Sequence, residues 1–494
     1  MRLISTRNTG NVVTALEGVL KGIADDGGLF VPETFPTISL DFIEALGEMD
    51  YAHAAAKVLA LYFEVSEEDL LAMTQAAYGG FDDPRVTPMK RLGNREYILE
   101  LFHGPTLAFK DMALQILPRL MSRAIDVVEQ KEDVMILTAT SGDTGKAALE
   151  GFADVPHTRI TVFYPDEGVS DMQKLQMVTQ GGDNTYVCAV RGNFDDAQTG
   201  VKKMFGDPKF NGKMAKEGYV LSSANSINFG RLAPQIVYYI YAYAHLMRAG
   251  EIARGEKVNI TVPTGNFGNI LAAYYAKRMG LPVAKLICAS NKNNVLTDFF
   301  DSGRYVTQRT FFKTTSPSMD ILISSNLERL LFEITDRDAN LVKEWMESLS
   351  REGEYAIDGG LHRTMGDEFY ADFADDVHGA DVIRRVYRDH NYLMDTHTAV
   401  AQAVYEKYVA RTGDQTATIT ASTASPFKFV QDVLYAITKE KVEDPFEAAD
   451  RLCQVTGAKL PAQIAELRTA QPRFKDVANK EDLPGMILKS IGAE

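Results

Sequence analysis

The chain has 494 residues, 45% of them hydrophobic and 24% charged, with a net charge of -15 at pH 7. That length allows about three domains and a large buried core, and the acidity argues against a general nucleic-acid binder, whose affinity rests on a basic surface. Cys188, Cys288 and Cys453 stand far apart, so their spacing offers neither a disulfide framework nor a metal site.

Met1 to Asn8 contains no apolar core of the kind a signal peptide needs. Residues 1–95 read as an opening, mostly helical unit. Ala15 to Ile23 has helical spacing, and Asp25-Asp26-Gly27-Gly28-Leu29-Phe30-Val31-Pro32 forms a turn running into an extended segment. Leu40 to Phe63 and Glu67 to Tyr78 follow as amphipathic helices. Next comes His103-Gly104-Pro105-Thr106-Leu107-Ala108-Phe109-Lys110-Asp111-Met112, a turn leading into an apolar run with one lysine. An amine in that company is partly desolvated and more often neutral, and a neutral amine can hold an aldehyde cofactor as a Schiff base. Taken alone, the same lysine fits a surface position capping a buried helical turn.

From about residue 130 strand, loop and helix alternate. Val134–Leu137 leads through Thr140-Ser141-Gly142-Asp143-Thr144-Gly145 into a helix over Lys146 to Phe152. Strands at Ile160–Phe163 and Tyr186–Val190 are followed by helices at Met172–Val178 and Phe194–Phe205. Ala233 to Met247, the most apolar long stretch, is interrupted by Gln235 and His245 and too short to span a bilayer, so it reads as a core helix. Val258–Val262 passes through Thr264-Gly265-Asn266-Phe267-Gly268-Asn269 into a helix at Ile270–Met279. Ala417–Thr420 makes a late strand ending in Ala421-Ser422-Thr423-Ala424-Ser425. Alternation of this kind predicts an α/β fold with parallel strands, whose ligands lie at the strands' carboxyl ends.

Three loops carry polar chemistry. Gly265 and Gly268 let the backbone turn its N–H groups inward at a helix start, a ready phosphate site, although such turns are also common connectors. Ser141 to Lys146 lacks the glycine spacing and the hydroxyl after lysine of a P-loop; the hydroxyls of Ser141 and Thr144 suit a carboxylate or phosphate instead. Asn225, Ser226 and Arg231 gather an amide, a hydroxyl and a phosphate-matching guanidinium just before the helix at Ala233, where Ser and Asn also serve as caps. No histidine spacing suits a metal, and His397 reads as a structural cap.

Taken together, these segments resemble threonine synthase, of the long, N-terminally extended branch. His103–Lys110, Thr140–Gly145, Asn225–Arg231, Gly265–Asn269 and Ser422–Phe429 follow in that family's order, and the likeness covers nearly the whole chain. The resemblance implies pyridoxal-phosphate fold type II, the tryptophan-synthase β-like fold: two open α/β domains with mainly parallel sheets plus the N-terminal unit. It divides the chain into 1–95, a large cofactor-binding domain over 96–111 and 232–494, and a smaller domain over 112–231. It makes Lys110 the catalytic lysine that carries pyridoxal 5'-phosphate. Gly265, Asn266, Phe267 and Asn269 would hold the cofactor phosphate, and Thr423 would meet the pyridine nitrogen. Asp143 stands where many such enzymes have an asparagine beside the 3′-oxygen. Ser141, Thr144, Asn225, Ser226 and Arg231 match positions that bind the substrate. The implied reaction turns O-phospho-L-homoserine and water into L-threonine and phosphate in a cytoplasmic enzyme, with no nucleic-acid or membrane partner. A phospho-lyase releasing 2-oxobutyrate, or a non-catalytic phosphoamino-acid binder, would share the same residues.

Overall fold

Short aliphatic runs separated by amphipathic helices become parallel strands, because each helix buries its apolar stripe on the sheet that its strand belongs to. The computed structural model describes residues 1–140, 142–166 and 169–493. A five-stranded sheet runs in the order Val477–Ala478, Thr185–Val190, Thr158–Pro165, Asp133–Ala139, Tyr219–Ser222, with every pairing parallel. A six-stranded sheet runs Phe369–Phe373, Val283–Ser290, Val258–Pro263, Thr418–Ser422, Glu96–Glu100, Met89–Gly93, parallel except for the last pair. The architecture is α/β with mainly parallel sheets, as the alternation predicts.

The opening unit is richer than its helical pattern. Arg2–Ser5, Asn8–Thr14 and Phe30–Pro32 form a three-stranded antiparallel sheet. The second of these strands, NTGNVVT, has no buried residue, so it lacks the apolar alternation by which strands are read. Thr14 then starts the helix Ala15–Lys21 with a reciprocal capping box to Glu17. The stretch expected to be helical from Leu40 to Phe63 is divided into Leu40–Leu46 and Tyr51–Leu59. Gly47 ends the first, and Asp50 caps the second by accepting the His53 N–H at 2.9 Å. The unit has no core of its own: Leu3, Leu16, Val19 and Tyr62 belong to the same apolar cluster as Phe229, Ile260 and Tyr275.

The core helix also begins earlier than Ala233. It spans Phe229–Arg248, capped by Asn228, whose side-chain oxygen accepts the Gly230 N–H at 2.8 Å. Pro234 suggests a first-turn position, yet it lies inside this helix; the Gln235 amide donates to the Arg231 carbonyl at 2.6 Å nearby. Arg231 is therefore a helical residue, held on a long and largely buried helix. No helix among the described residues is long and apolar enough to cross a membrane.

Candidate active site

The loop carrying Lys110 leaves the strand Glu96–Glu100 and is closed on itself. The buried Asp111 carboxylate accepts the Thr106 N–H at 2.8 Å and the Thr106 hydroxyl at 2.7 Å. Gly104 is required there, since a Cβ would stand 2.5 Å from the Asp111 side chain. Leu107 adopts a left-handed backbone, φ 61°, and the loop pairs with the segment after Ser422: Phe109 N–H donates to the Thr423 carbonyl at 2.8 Å, and Ser425 N–H to that of Leu107 at 3.0 Å. Lys110 is thus fixed beside Thr423, 313 residues apart as counted from their positions.

The Lys110 side chain is only 12% exposed; its Nζ lies 3.9 Å from an Asp143 oxygen and donates to the Ser318 hydroxyl at 3.4 Å. Burial lowers its pKa, Asp143 works the other way, and Lys428 and Arg231 add to the lowering. Burial alone would raise the pKa of Asp143, but Lys428 and Lys110 hold it well below the usual carboxylate range, with Gln173 donating at 3.0 Å. Asp111 is pushed up to about 6 by burial, against its Thr106 bonds. Lys428 and Arg231 thus act on Lys110 as neighbouring positive charges, and Asp143 as a negative one.

The Gly265 loop leaves the strand Val258–Pro263 and opens the helix Gly268–Met279. Phe267 is left-handed there, φ 65°. Gly265 packs hard against a neighbouring loop: a Cβ would come within 2.9 Å of the Ser318 carbonyl oxygen. Ser324 hydroxyl donates to the Gly265 carbonyl at 2.7 Å, and Asn326 to that of Asn266 at 3.1 Å through its backbone and 3.0 Å through its side chain. Asn269 is buried, accepting from the hydroxyls of Tyr238, at 2.9 Å, and Tyr239. Its amide nitrogen finds no partner among the described residues.

The Asn225 loop meets the Gly265 loop through one side chain. Ser226 and Ser325 hydroxyls are 3.4 Å apart, and Ser325 donates to the Asn266 side chain at 3.4 Å. Asn225 is exposed, and Thr144 sits in the first turn of the helix Asp143–Phe152. Ser141 lies outside the described residues. Arg231 is buried, with one arm donating to the Ala224 carbonyl at 2.8 Å and its Nε without a partner among the described residues. Burial lowers its pKa to about 10. A buried guanidinium with an unpartnered donor has the chemistry to hold an anion.

Several contributors carry no readable sign in the sequence. Ser318 touches both Lys110 and Asp143, at 3.4 and 3.5 Å, and belongs to a loop that Asp320 straps to Asn291 and Asn293 at 2.8 and 2.7 Å. His397, read from sequence as a cap, lies inside the helix Thr396–Thr412, and Asp395 does the capping. The His397 ring accepts the Ser318 N–H at 3.1 Å on Nε2 and faces Asp395 at 3.0 Å with Nδ1, so it fixes the loop that touches Lys110. Arg329, wholly buried, donates to the Phe30 carbonyl at 2.9 Å, the Ile227 carbonyl at 2.6 Å and the Asn326 side chain. With Asn228 donating to the Val19 carbonyl at 2.9 Å, it ties the N-terminal unit to both phosphate-type loops. Lys428 was signalled only by lying within the Ser422–Phe429 segment.

These donors suit a phosphorylated aldehyde cofactor: a buried amine of lowered pKa, a helix start with a glycine-lined turn, and the unpartnered nitrogen of Asn269 beside it. The comparisons with known proteins agree. A family model described as threonine synthase N terminus matches residues 2–78, one for pyridoxal-phosphate dependent enzymes matches 82–421, and one for the threonine synthase C-terminal part matches 398–485. The chain is 40% identical over 440 residues to human threonine synthase-like 1, covering 87% of this chain and 58% of that protein. The chain thus spans little more than half the length of that relative. Threonine synthase of Pseudomonas aeruginosa is 37% identical over 476 residues, covering 95% of this chain and 97% of its own. The crystal structure of pyridoxal-phosphate-bound threonine synthase from Brucella melitensis superimposes with a TM-score of 0.89 at 36% identity, covering 99% of each chain.

Proposed function

This chain belongs to the threonine synthase family of pyridoxal-phosphate-dependent enzymes, and we propose that it converts O-phospho-L-homoserine and water to L-threonine and phosphate. Its cofactor is pyridoxal 5'-phosphate, which when bound serves as the electron sink that lets the substrate's α-carbon lose a proton. The observation that carries the reading is the buried amine of Lys110, within reach of Ser318 and Asp143.

In this reading Lys110 would hold the cofactor and would take and return the substrate's α-proton. A desolvated amine has its two forms close in energy, so it serves as base and acid in turn. Gly265, Asn266, Phe267 and Asn269 hold the cofactor phosphate, with Thr423 and Asp143 set to hold its ring. Arg231 offers its orphan Nε to the substrate phosphate, with Ser141, Thr144, Asn225 and Ser226 around it. The domain division follows the same reading, an N-terminal unit over 1–95, a cofactor domain over 96–111 and 232–494 and a smaller domain over 112–231, with two exchanges across these bounds: Met89–Gly93 joins the large sheet, and Val477–Ala478 joins the smaller domain's sheet. We place the protein in the cytoplasm.

A second reading keeps the same sites: a phospho-lyase that releases 2-oxobutyrate. A Lys110 buried and poised speaks against a non-catalytic binder. Incubating the purified protein with O-phospho-L-homoserine and separating threonine from 2-oxobutyrate decides among the three. Threonine formed in step with phosphate is expected; 2-oxobutyrate in its place overturns the first reading, and no product at all overturns both catalytic ones.

A further inference from the structure

Two lysines compete for one buried carboxylate at this site. Lys428 lies in the short turn Pro426–Phe429, where its side chain is 3% exposed. Its Nζ is 3.0 Å from Asp143 Oδ1 and donates to the Thr106 carbonyl at 2.8 Å. Lys110 faces the other oxygen, Oδ2, at 3.9 Å, beyond hydrogen-bond distance. Gln173 donates to Oδ1 at 3.0 Å and the Ser318 hydroxyl to Oδ2 at 3.5 Å. The shorter ion pair is the one between Lys428 and Asp143.

We propose that Lys428 is a positioning residue that takes Asp143 as its own counter-ion, so that the Lys110 amine sits beside a carboxylate already neutralised. The proposal rests on Lys110 being the reactive amine. A carboxylate in a dry pocket next to a lysine ordinarily holds that lysine protonated, which would defeat a nucleophile. Here the charge of Asp143 is spent on Lys428, and Lys428 is in turn anchored to the Lys110 loop through Thr106. The same contact joins the helix Asp143–Phe152 of one sheet to the C-terminal turn beside the other, which keeps the carboxylate aimed. Neither residue makes sense alone: a neutral side chain at 428 turns Asp143 into the partner of Lys110, and a neutral one at 143 leaves the Lys428 cation buried without a partner. The charged groups coupled to Lys110 are Asp143, Lys428, Arg231 and Asp111, and only the first two differ between the variants below.

The test is the pH dependence of two signals in the holoprotein, the visible absorption band and kcat/KM. In Lys428→Met the charge of Asp143 falls on Lys110, whose nitrogen keeps its proton longer; both midpoints move to higher pH by about one unit or more, the effect of an opposite charge at this range. Asp143→Asn leaves the Lys428 cation without its counter-ion and moves them to lower pH. The double variant carries neither charge and returns toward the parent. A purely structural Lys428 would lower the melting temperature and leave the midpoints in place, and that result overturns the proposal. Should Lys428→Met fail to fold, Asp143→Asn still decides, since an unchanged or raised midpoint there is equally fatal. The absorption titration does not depend on which substrate is turned over, so its failure is separate from a failure of the proposed reaction.

Discussion

Gly268 is the place where protein and cofactor give opposite answers. A Cβ added there meets only the Asn326 side chain, at 3.4 Å and beyond, which is ordinary contact. Gly268 is the first residue of its helix, and Gly→Ala in a helix typically stabilises by about 0.5–1 kcal/mol. The cofactor-free Gly268→Ala protein is therefore expected to melt at or slightly above the parent temperature. If the helix start cradles the cofactor phosphate, the methyl group stands between backbone N–H groups and that phosphate. Each hydrogen bond to a charged group is worth about 1.5–3 kcal/mol, so affinity falls by roughly 10- to 150-fold. The assay pairs thermal melting of the cofactor-free protein with a cofactor titration followed by absorbance. Gly265→Ala is the contrasting case: its Cβ would lie 2.9 Å from the Ser318 carbonyl oxygen and 3.2 Å from Met319 Cα, both backbone. Overpacking of that kind costs about 1–3 kcal/mol with or without cofactor, so there stability falls too. A Gly268→Ala protein that binds the cofactor as tightly as the parent would refute the cradle and make the loop a connector.

Arg231→Ala should keep the cofactor spectrum, lose roughly 10- to 150-fold in kcat/KM for O-phospho-L-homoserine, and lose most of its competitive inhibition by inorganic phosphate; Arg231→Lys should recover only part, lacking the planar fork. Unchanged phosphate inhibition would move Arg231 from the site to helix packing. Borohydride should fix the cofactor to Lys110, and Lys110→Ala should lose colour and activity; peptide mapping that finds the label on Lys146 refutes the assignment. His103, despite burial, has its pKa raised from 6.5 to about 9 by Asp82 and Glu100. Its contribution to stability is then full below about pH 6.5 and is lost as pH rises toward 9. The urea midpoint should fall over that interval, and more steeply in the parent than in His103→Gln.

Some of this protein was legible one segment at a time. Strand, polar loop and helix in succession dictate parallel sheets, because a helix after a buried strand has only the sheet face to cover. Lys110 stood out because its neighbours along the chain are apolar, and Gly265 to Asn269 because glycines open a helix after a strand. Such features depend on residues within one or two turns of each other, so they survive being read without a fold. Arg231 was legible by type and misplaced by position: it lies inside the helix Phe229–Arg248, which begins before Ala233.

Tertiary structure decided the rest. Ser318 reaches Lys110 across 208 positions of sequence, and Lys428 reaches Thr106 across 322; nothing local marks a serine or a lysine for such a contact. Arg329 is wholly buried, which no sequence pattern foretells for an arginine, and two of its three acceptors, the Phe30 and Ile227 carbonyls, come from distant segments. The residue types that bring chemistry were visible in the chain. Which of them share a charge was not, because a desolvated pair is set by distances of a few ångströms between strand ends that only the packed sheets bring together.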